Sequence, residues 1–297
     1  MKLRALLLAI ATLACNAASA SAQGSRYDDV MDTTVALTRE GTVDVSLMGG
    51  RVNINGTDGS QVRIRARVMS GLLQFYASPS RVRLGVDTRR HDTNSDAEFD
   101  ISVPRGTRLI VNSMSAPVAI RGVRGEVTVE NMSGNVEITD AIRKVSAHTL
   151  SGRLLLSSVD GDVEAGTVSG TIQMDEVAGD VAAESVSGRL LMTGVRSKLV
   201  RSGTVSGPIQ YAGTFDPAGT YEFKSHSGSL RLVVPANSGA RFRIESFSGG
   251  VTSDFPVTLQ PKGFDNKLEY TIGDGRARVV AETFSGGIRI ERDTGRE

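Results

Sequence analysis

The sequence predicts an all-β protein: a β-solenoid, or single-stranded β-helix-like stack, of two-strand coils of about 18 residues with atypical capping ends. Three observations predict this fold. A Ser-Gly pair recurs every 18 residues, apolar and polar residues alternate at fixed offsets from each pair, and Gly accounts for 33 of 297 residues. Alternation with a period of two is typical of half-buried strands. A repeat at fixed length indicates identical units that stack on one another.

The Ser-Gly repeat is most regular in the middle of the chain. Three and five residues after each Ser stand mostly aliphatic residues or Met, as in Val136 with Ile138 and Ile172 with Met174. Later pairs follow at intervals of 19, 21, 21 and 37 residues, and the last interval is predicted to hold two coils, one of which lacks its pair. The pairs are Ser133-Gly134, Ser151-Gly152, Ser169-Gly170, Ser187-Gly188, Ser206-Gly207, Ser227-Gly228, Ser248-Gly249 and Ser285-Gly286.

A second short strand is predicted in the other half of each coil. Its inward positions are read from pairs such as Val163 with Ala165. Between the two halves, Gly125, Gly161 and Gly179 share one column, which predicts a turn with positive φ at these glycines. A unit this short cannot bury its apolar face alone. Stacking at about 4.8 Å is therefore expected to pair each backbone with the coils above and below.

The first 22 residues are predicted to be a secretory signal peptide that is absent from the folded protein. Lys2 and Arg4 flank the start of an apolar run of about ten residues, which is too short to span a bilayer. Ala20-Ser21-Ala22 then fits the small residues of a cleavage site. Two alternatives remain open, a buried N-terminal helix and a lipoprotein signal that is acylated at Cys15.

The rest of the chain divides into two predicted regions. Residues 23–110 form an N-terminal β cap region, with strands at 42–45, 50–54 and 99–104. Residues 111–297 form the solenoid repeats with a C-terminal cap. Capping is expected because an open solenoid end exposes unpaired backbone groups. No transmembrane anchor is predicted after signal cleavage, since no second apolar run of 18 residues follows.

Motifs in both cap regions and in the repeats resemble the DUF4097 family, whose members are described as adhesin-like. The likeness covers roughly residues 35–292. It implies an exported bacterial protein of β-strand repeats without established catalytic residues, found in envelope-associated and envelope-stress contexts. The motifs are Ile101-Ser102-Val103-Pro104-Arg105-Gly106, the serial Ser-Gly coils, and the closing Ile272-Gly273-Asp274-Gly275 and Thr283-Phe284-Ser285-Gly286-Gly287-Ile288-Arg289-Ile290.

Composition argues against several classes of protein. With 34 basic and 33 acidic residues, the net charge of +1 lacks the basic excess of nucleic-acid-binding proteins. No Trp is present and aromatic residues make up 5%, which argues against a sugar-stacking cleft. The sequence predicts a non-enzymatic, exported scaffold or interaction module of the cell envelope or extracellular space. Its expected location is the periplasm, the cell surface or the medium.

Two other functions were weighed against this prediction. One is an accessory component of a membrane assembly that signals envelope stress. The other is a polysaccharide lyase or hydrolase, which is disfavoured because residues 115–205 leave no room for the long loops that build a catalytic groove. The predicted partners are an anionic glycan, an envelope component or another envelope protein, and no nucleic acid.

Arginines spaced two apart are the strongest candidates for ligand binding. A period of two places each set on one face of a strand, and guanidinium groups recognise carboxylates and phosphates. The alternative interpretation is a charged outer face that protects a sheet edge. The candidate patch for an anionic ligand comprises Arg63, Arg65, Arg67, Arg81 and Arg83.

No catalytic residue, cofactor site or metal site is predicted. The Ser column is interpreted as corner hydroxyls that bond to turn backbone. His91, His148 and His226 lack the spacing of metal ligands, and the last two are expected at solenoid corners. Asp160-Gly161-Asp162 is interpreted as a turn, and the acidic residues between 92 and 100 as a solvated loop.

Overall fold

The computed structural model confirms the β-solenoid. It describes residues 29–87, 96–235, 238–256 and 266–293, in which 26 strands form two sheets of 13 strands each and no helix occurs. The predicted signal peptide with Cys15 lies outside these residues. The first seven strands are β1 (Asp29–Ala36), β2 (Thr42–Leu47), β3 (Gly49–Thr57), β4 (Gln61–Ser70), β5 (Leu72–Ala77), β6 (Arg81–Asp87) and β7 (Asp96–Pro104).

In the central coils, each coil gives one strand to each sheet. Neighbouring coils pair in parallel with equivalent residues side by side, so that Val145 lies between Val127 and Val163. This register explains the 18-residue repeat. The strands are β8 (Arg108–Ser113), β9 (Val118–Arg121), β10 (Val127–Asn131), β11 (Val136–Thr139), β12 (Val145–Thr149), β13 (Leu154–Asp160), β14 (Val163–Thr167), β15 (Ile172–Ala178), β16 (Val181–Ser185), β17 (Leu190–Val195), β18 (Leu199–Thr204) and β19 (Ile209–Gly213).

The core fills the space between the two sheets. In β13, Leu154 and Leu156 are fully buried, whereas Leu155 between them points outward and is half-buried. Alternation of this kind runs through the stack, as predicted. Burial of an aliphatic side chain contributes about 1.5–3 kcal/mol relative to exposure, so each coil is stabilised chiefly by the layer that it shares with its neighbours.

The C-terminal end of the solenoid does not follow the order of the chain. The coil β25–β26 lies between β20–β21 and β22–β23, and β24 closes the end by pairing antiparallel to β22. The last 37-residue interval is therefore not two successive coils, and that prediction is wrong. The strands are β20 (Thr220–Ser225), β21 (Leu230–Pro235), β22 (Ala240–Ser246), β23 (Val251–Ser253), β24 (Asn266–Ile272), β25 (Ala277–Thr283) and β26 (Ile288–Asp293).

The N-terminal end is also stacked out of order. The coil β2–β3 lies between β6–β7 on its outer side and β8–β9 on its inner side. Antiparallel strands then close the end, with β1 and β4 added to one sheet and β5 to the other. The strands predicted at residues 42–45, 50–54 and 99–104 are confirmed as parts of β2, β3 and β7.

Glycine is required at these turns mainly because the backbone of the preceding coil lies very close, and less because of a positive φ. Of Gly125, Gly161 and Gly179, only Gly179 has a positive φ, of 141°. A Cβ atom on Gly125 would lie 1.9 Å from the carbonyl oxygen of Thr107 in the preceding coil. The predicted positive φ is thus wrong for Gly125 and Gly161. Stacking of coils leaves no room there for any side chain.

Candidate interaction surface

The Ser-Gly pairs form one corner of the solenoid. The Ser133 hydroxyl donates a hydrogen bond to the carbonyl oxygen of Met114, 3.3 Å away in the preceding coil, and Ser227 does the same to Val205 at 3.2 Å. The prediction that these hydroxyls bond to turn backbone is confirmed. They tie consecutive coils together and are already engaged, which argues for a structural column.

A second polar column lies inside this corner. Its residues stand three positions before each Gly, and their side-chain oxygens accept the Gly N–H, as in Gly170 to Thr167 at 2.9 Å and Gly188 to Ser185 at 2.7 Å. These side chains are buried. Since a buried N–H without a partner is costly, the column accounts for the Thr or Ser that ends each of these strands.

Between the two polar columns runs a line of exposed apolar side chains, which we call the corner ladder. Each member directly precedes the Ser of a Ser-Gly pair or, for Met114, of Ser115-Ala116, and parallel stacking aligns the members along the long axis. Exposure of the apolar members ranges from 42% to 65%. In spatial order the ladder comprises Met114, Met132, Leu150, Val168, Val186, Val205, His226, Phe284 and Phe247.

The C-terminal end of the corner ladder is aromatic. The ring of Phe284 stacks between His226 and Phe247, with centroids 4.9 Å and 4.7 Å apart and interplanar angles of 6° and 5°. The rings cover each other's faces, so the inner members offer mainly their edges to solvent. Phe247 is the most exposed member of the ladder, at 65%.

The corner ladder forms one wall of a groove with a volume of about 1460 Å³. The buried Thr and Ser column forms its floor. Residues on the outer face of the adjacent sheet, two positions before each ladder member, form the opposite wall, which we call the polar wall. These are Asn112, Glu130, His148, Gly166, Glu184, Gly203, Lys224, Glu282 and Glu245.

Charges on the polar wall are distributed unevenly. Near the C-terminal end, Lys224 forms ion pairs with Glu222 and with Glu282, the latter at 3.5 Å. These carboxylates raise the pKa of Lys224, chiefly through the hydrogen bond with Glu222. Toward the N-terminal end, Glu130 is exposed and has no ion pair with any described residue. The groove thus offers an apolar wall, an unpaired carboxylate toward one end and, toward the other, an ammonium group that is paired with two carboxylates.

The chain matches the model of one protein family. The Toastrack DUF4097 model matches residues 29–291. The chain belongs to the Toastrack family. The predicted resemblance is thereby confirmed, and no curated protein matches the chain.

Solved structures resemble this chain at low identity. A candidate lipid-binding protein from Parabacteroides distasonis is 12% identical, with a TM-score of 0.51, over 88% of this chain and 96% of that one. A candidate adhesin from the same organism is 11% identical, with a TM-score of 0.44, over 89% and 97%. A candidate adhesin from Bacteroides fragilis is 14% identical, with a TM-score of 0.33, over 89% and 98%. At 12% identity, the likeness to the first of these structures shows the fold alone.

The candidate arginines of this Toastrack chain do not form one patch. Arg63, Arg65 and Arg67 lie on β4 in one sheet, and Arg81 and Arg83 lie on β6 in the other. The structure therefore places the two sets on different faces. Binding of an anionic ligand by either set stays a prediction.

Each arginine set faces an aspartate on a neighbouring strand. Asp32 Oδ2 lies 3.0 Å from Arg63 Nη2 and 3.3 Å from Arg65 Nε. The hydrogen bond from Arg63 holds the pKa of Asp32 below its ordinary value. On the other face, Asp44 Oδ2 lies 3.4 Å from Arg83 Nε and 3.8 Å from Arg81 Nη2. These carboxylates compete with any anionic ligand for the guanidinium groups.

The two described histidines occupy different columns of the Toastrack solenoid. His226 belongs to the corner ladder, whereas His148 stands two positions before ladder member Leu150, on the polar wall. The shared corner position expected for them is wrong, because His148 is three residues from its Ser and His226 is adjacent to its own. His91 lies outside the described residues. Within the described ranges, no cluster of ligating side chains suited to a metal ion occurs, and no helix is long and apolar enough to cross a membrane.

Sequence reasoning missed the corner ladder as a surface. Its signal is an apolar residue at an outward position directly before each Ser, repeated with the 18-residue spacing. An apolar residue next to a strand is easily assigned to the core, and only the register of the stack shows that Met132 points outward.

Proposed function

We propose that this Toastrack protein is an exported, non-enzymatic interaction module of the cell envelope that associates through the corner ladder. One observation carries the proposal. The ladder keeps apolar side chains 42–65% exposed at eight of nine successive coils. A monomeric soluble protein rarely exposes a contiguous apolar surface on this scale unless the surface binds a partner.

Several features support a binding role over a catalytic one. The regular Ser hydroxyls bond to backbone carbonyls. The groove floor carries Thr and Ser side chains that are engaged with Gly N–H groups. An activated nucleophile needs a general base within hydrogen-bond reach, and no such pair is formed by these hydroxyls. We expect no turnover of polyuronates, and lyase activity that is lost on changing one carboxylate would contradict the proposal.

Cell fractionation tests export and the role of the ladder together. The ladder variant carries Val168→Ser and Val186→Ser. The matched control carries Leu155→Ser and Leu191→Ser, which change two half-buried leucines on the outer face of the other sheet. Wild type and control should be exported and retained on washed envelope fractions, whereas the ladder variant should be released. Retention of the ladder variant at the wild-type level, or cytoplasmic wild-type protein, would contradict the proposal.

A further inference from the structure

The corner ladder changes its chemistry along the solenoid axis. Its N-terminal members are the thioethers Met114 and Met132, its middle members are branched aliphatic residues, and its C-terminal members are aromatic rings. A two-fold axis perpendicular to the stack, placed between the coils of Val168 and Val186, exchanges these ends. Sulfur atoms then meet ring edges, which is a favourable contact.

The charges of the polar wall are also complementary between two copies related by this axis. Under that two-fold axis, the coil of Glu130 exchanges with the coil of Lys224, and the coil of Asn112 exchanges with the coil of Glu282. The unpaired carboxylate of one copy would therefore lie opposite Lys224 of the other, as a third carboxylate beside Glu222 and Glu282, twice in one dimer. A closed two-fold interface is built in this way from one self-complementary patch.

We propose that the partner of the corner ladder is a second copy of this chain, packed antiparallel so that the two ladders face each other and the two polar walls face each other. The inference rests on the proposed function and names the partner of the same surface. A second copy is favoured because its side chains repeat at the same spacing of about 4.8 Å, so that contact at one coil is reproduced at every coil. In an extended peptide, the side chains on one face repeat about every 6.8 Å, so they do not match the ladder spacing of about 4.8 Å.

The length of the surface suits a dimer. With the axis between the coils of Val168 and Val186, eight of the nine ladder coils face a partner coil, which at about 4.8 Å a coil is about 34 Å between the outermost pairs. A standard interface covers about 800 Å² on each partner, so a strip of this length needs a width of about 24 Å. The ladder, the groove floor and the polar wall are three successive positions that span about 7 Å of each strand, so residues on both sides of them have to supply the rest of that width.

Mass measurement by light scattering is the first test. Purified exported protein should show twice the mass of one chain. The ladder variant should dissociate at least about 100-fold more readily, because each substitution removes apolar contact twice in a two-fold dimer. Its melting temperature at low concentration should match that of the Leu155→Ser, Leu191→Ser control, which should stay dimeric. A wild-type chain that is monomeric at on the order of 100 µM, far above the dissociation constants of interfaces of this size, overturns the proposal.

Disulfide cross-linking tests the antiparallel arrangement. The chain has a single Cys, so the background Cys15→Ser leaves each introduced thiol as the only one. Met114→Cys and Phe284→Cys proteins should cross-link when mixed and oxidised, and neither should cross-link alone. Cross-linking of Met114→Cys with itself would show a parallel arrangement and overturn the proposal, as would the absence of cross-links in the mixture.

These results separate the two proposals. If the wild type is monomeric while the ladder variant is still released from the envelope, the second copy is excluded and the interaction function stands. If the ladder variant is retained and the wild type dimerises as described, the ladder joins copies without anchoring the protein to the envelope. In that case the proposed envelope role fails.

Discussion

The ring of His226 lies parallel to that of Phe284 at 4.9 Å, although β21 to β25 separate the two residues in the chain. The contact exists because β25 pairs directly with β20. The aromatic end of the corner ladder is thus assembled from non-consecutive coils. Its continuity with Met114 and Val168 is a property of the stack and not of the chain order.

Leu156 and Leu155 should respond very differently to the same substitution. Leu156→Asp places an unpaired carboxylate in the core and should unfold neighbouring coils, because burial of an isolated charge is prohibitive. Leu155→Asp on the outward face of β13 should cost about 1 kcal/mol or less. Thermal unfolding followed by circular dichroism measures both. Equal melting temperatures would contradict the assigned inward face.

The corner glycines should not tolerate a methyl group. A Cβ atom at Gly170 would lie 1.7 Å from the carbonyl oxygen of Gly152, so Gly170→Ala should destabilise the protein by about 2 kcal/mol or more through displaced backbone. Gly203 has nothing within 4 Å of the same position, so Gly203→Ala should be neutral or stabilising. Denaturant unfolding compares the two, and a neutral Gly170→Ala would refute the close stacking.

Arginine binding to an anionic glycan should depend on Asp32. If β4 binds such a ligand, Arg63→Glu with Arg65→Glu should abolish binding to an immobilised anionic glycan, whereas Asp32→Ala should strengthen it by freeing two guanidinium groups. The control is the charge reversal Arg81→Glu with Arg83→Glu on the other sheet, which should leave binding by β4 unchanged. Binding that is unchanged by the β4 reversal removes these arginines as ligand-binding residues.

Alkaline stability should reflect the buried tyrosines. Burial raises the pKa of Tyr270 to about 12, and burial also raises the pKa of Tyr211 and Tyr221. A pKa that is higher in the folded protein gives stability that is complete below the unfolded value near 10 and is lost as the pH rises through about 12. For Tyr270 the loss is about 3 kcal/mol. Tyr270→Phe should reduce the loss of unfolding free energy between pH 10 and 12. An unfolding free energy with the same pH dependence in both proteins would contradict this prediction.

Periodicity in the sequence predicts the central coils because each coil repeats one local rule. Inward residues such as Leu154 and Leu156 recur at fixed offsets, and the register follows from stacking like on like. The order of the end coils could not be predicted in this way. β25 has the same alternation as any other coil strand, and its place beside β20 depends on long-range pairing. The Arg63 and Arg81 sets share a pattern, but only the topology places them in different sheets.

The placement of β25–β26 between β20–β21 and β22–β23 has a consequence for how the molecule is completed. The segment that fills this position is the last described part of the chain to be synthesised. Until this segment is made, the coils on either side have strand edges without neighbours, so the C-terminal end of the solenoid cannot close before residues 277–293 have been synthesised. Premature termination before Ala277 would leave β20–β21 and β22–β23 without the coil that pairs with both of them, and so would not give a shorter solenoid with a capped end.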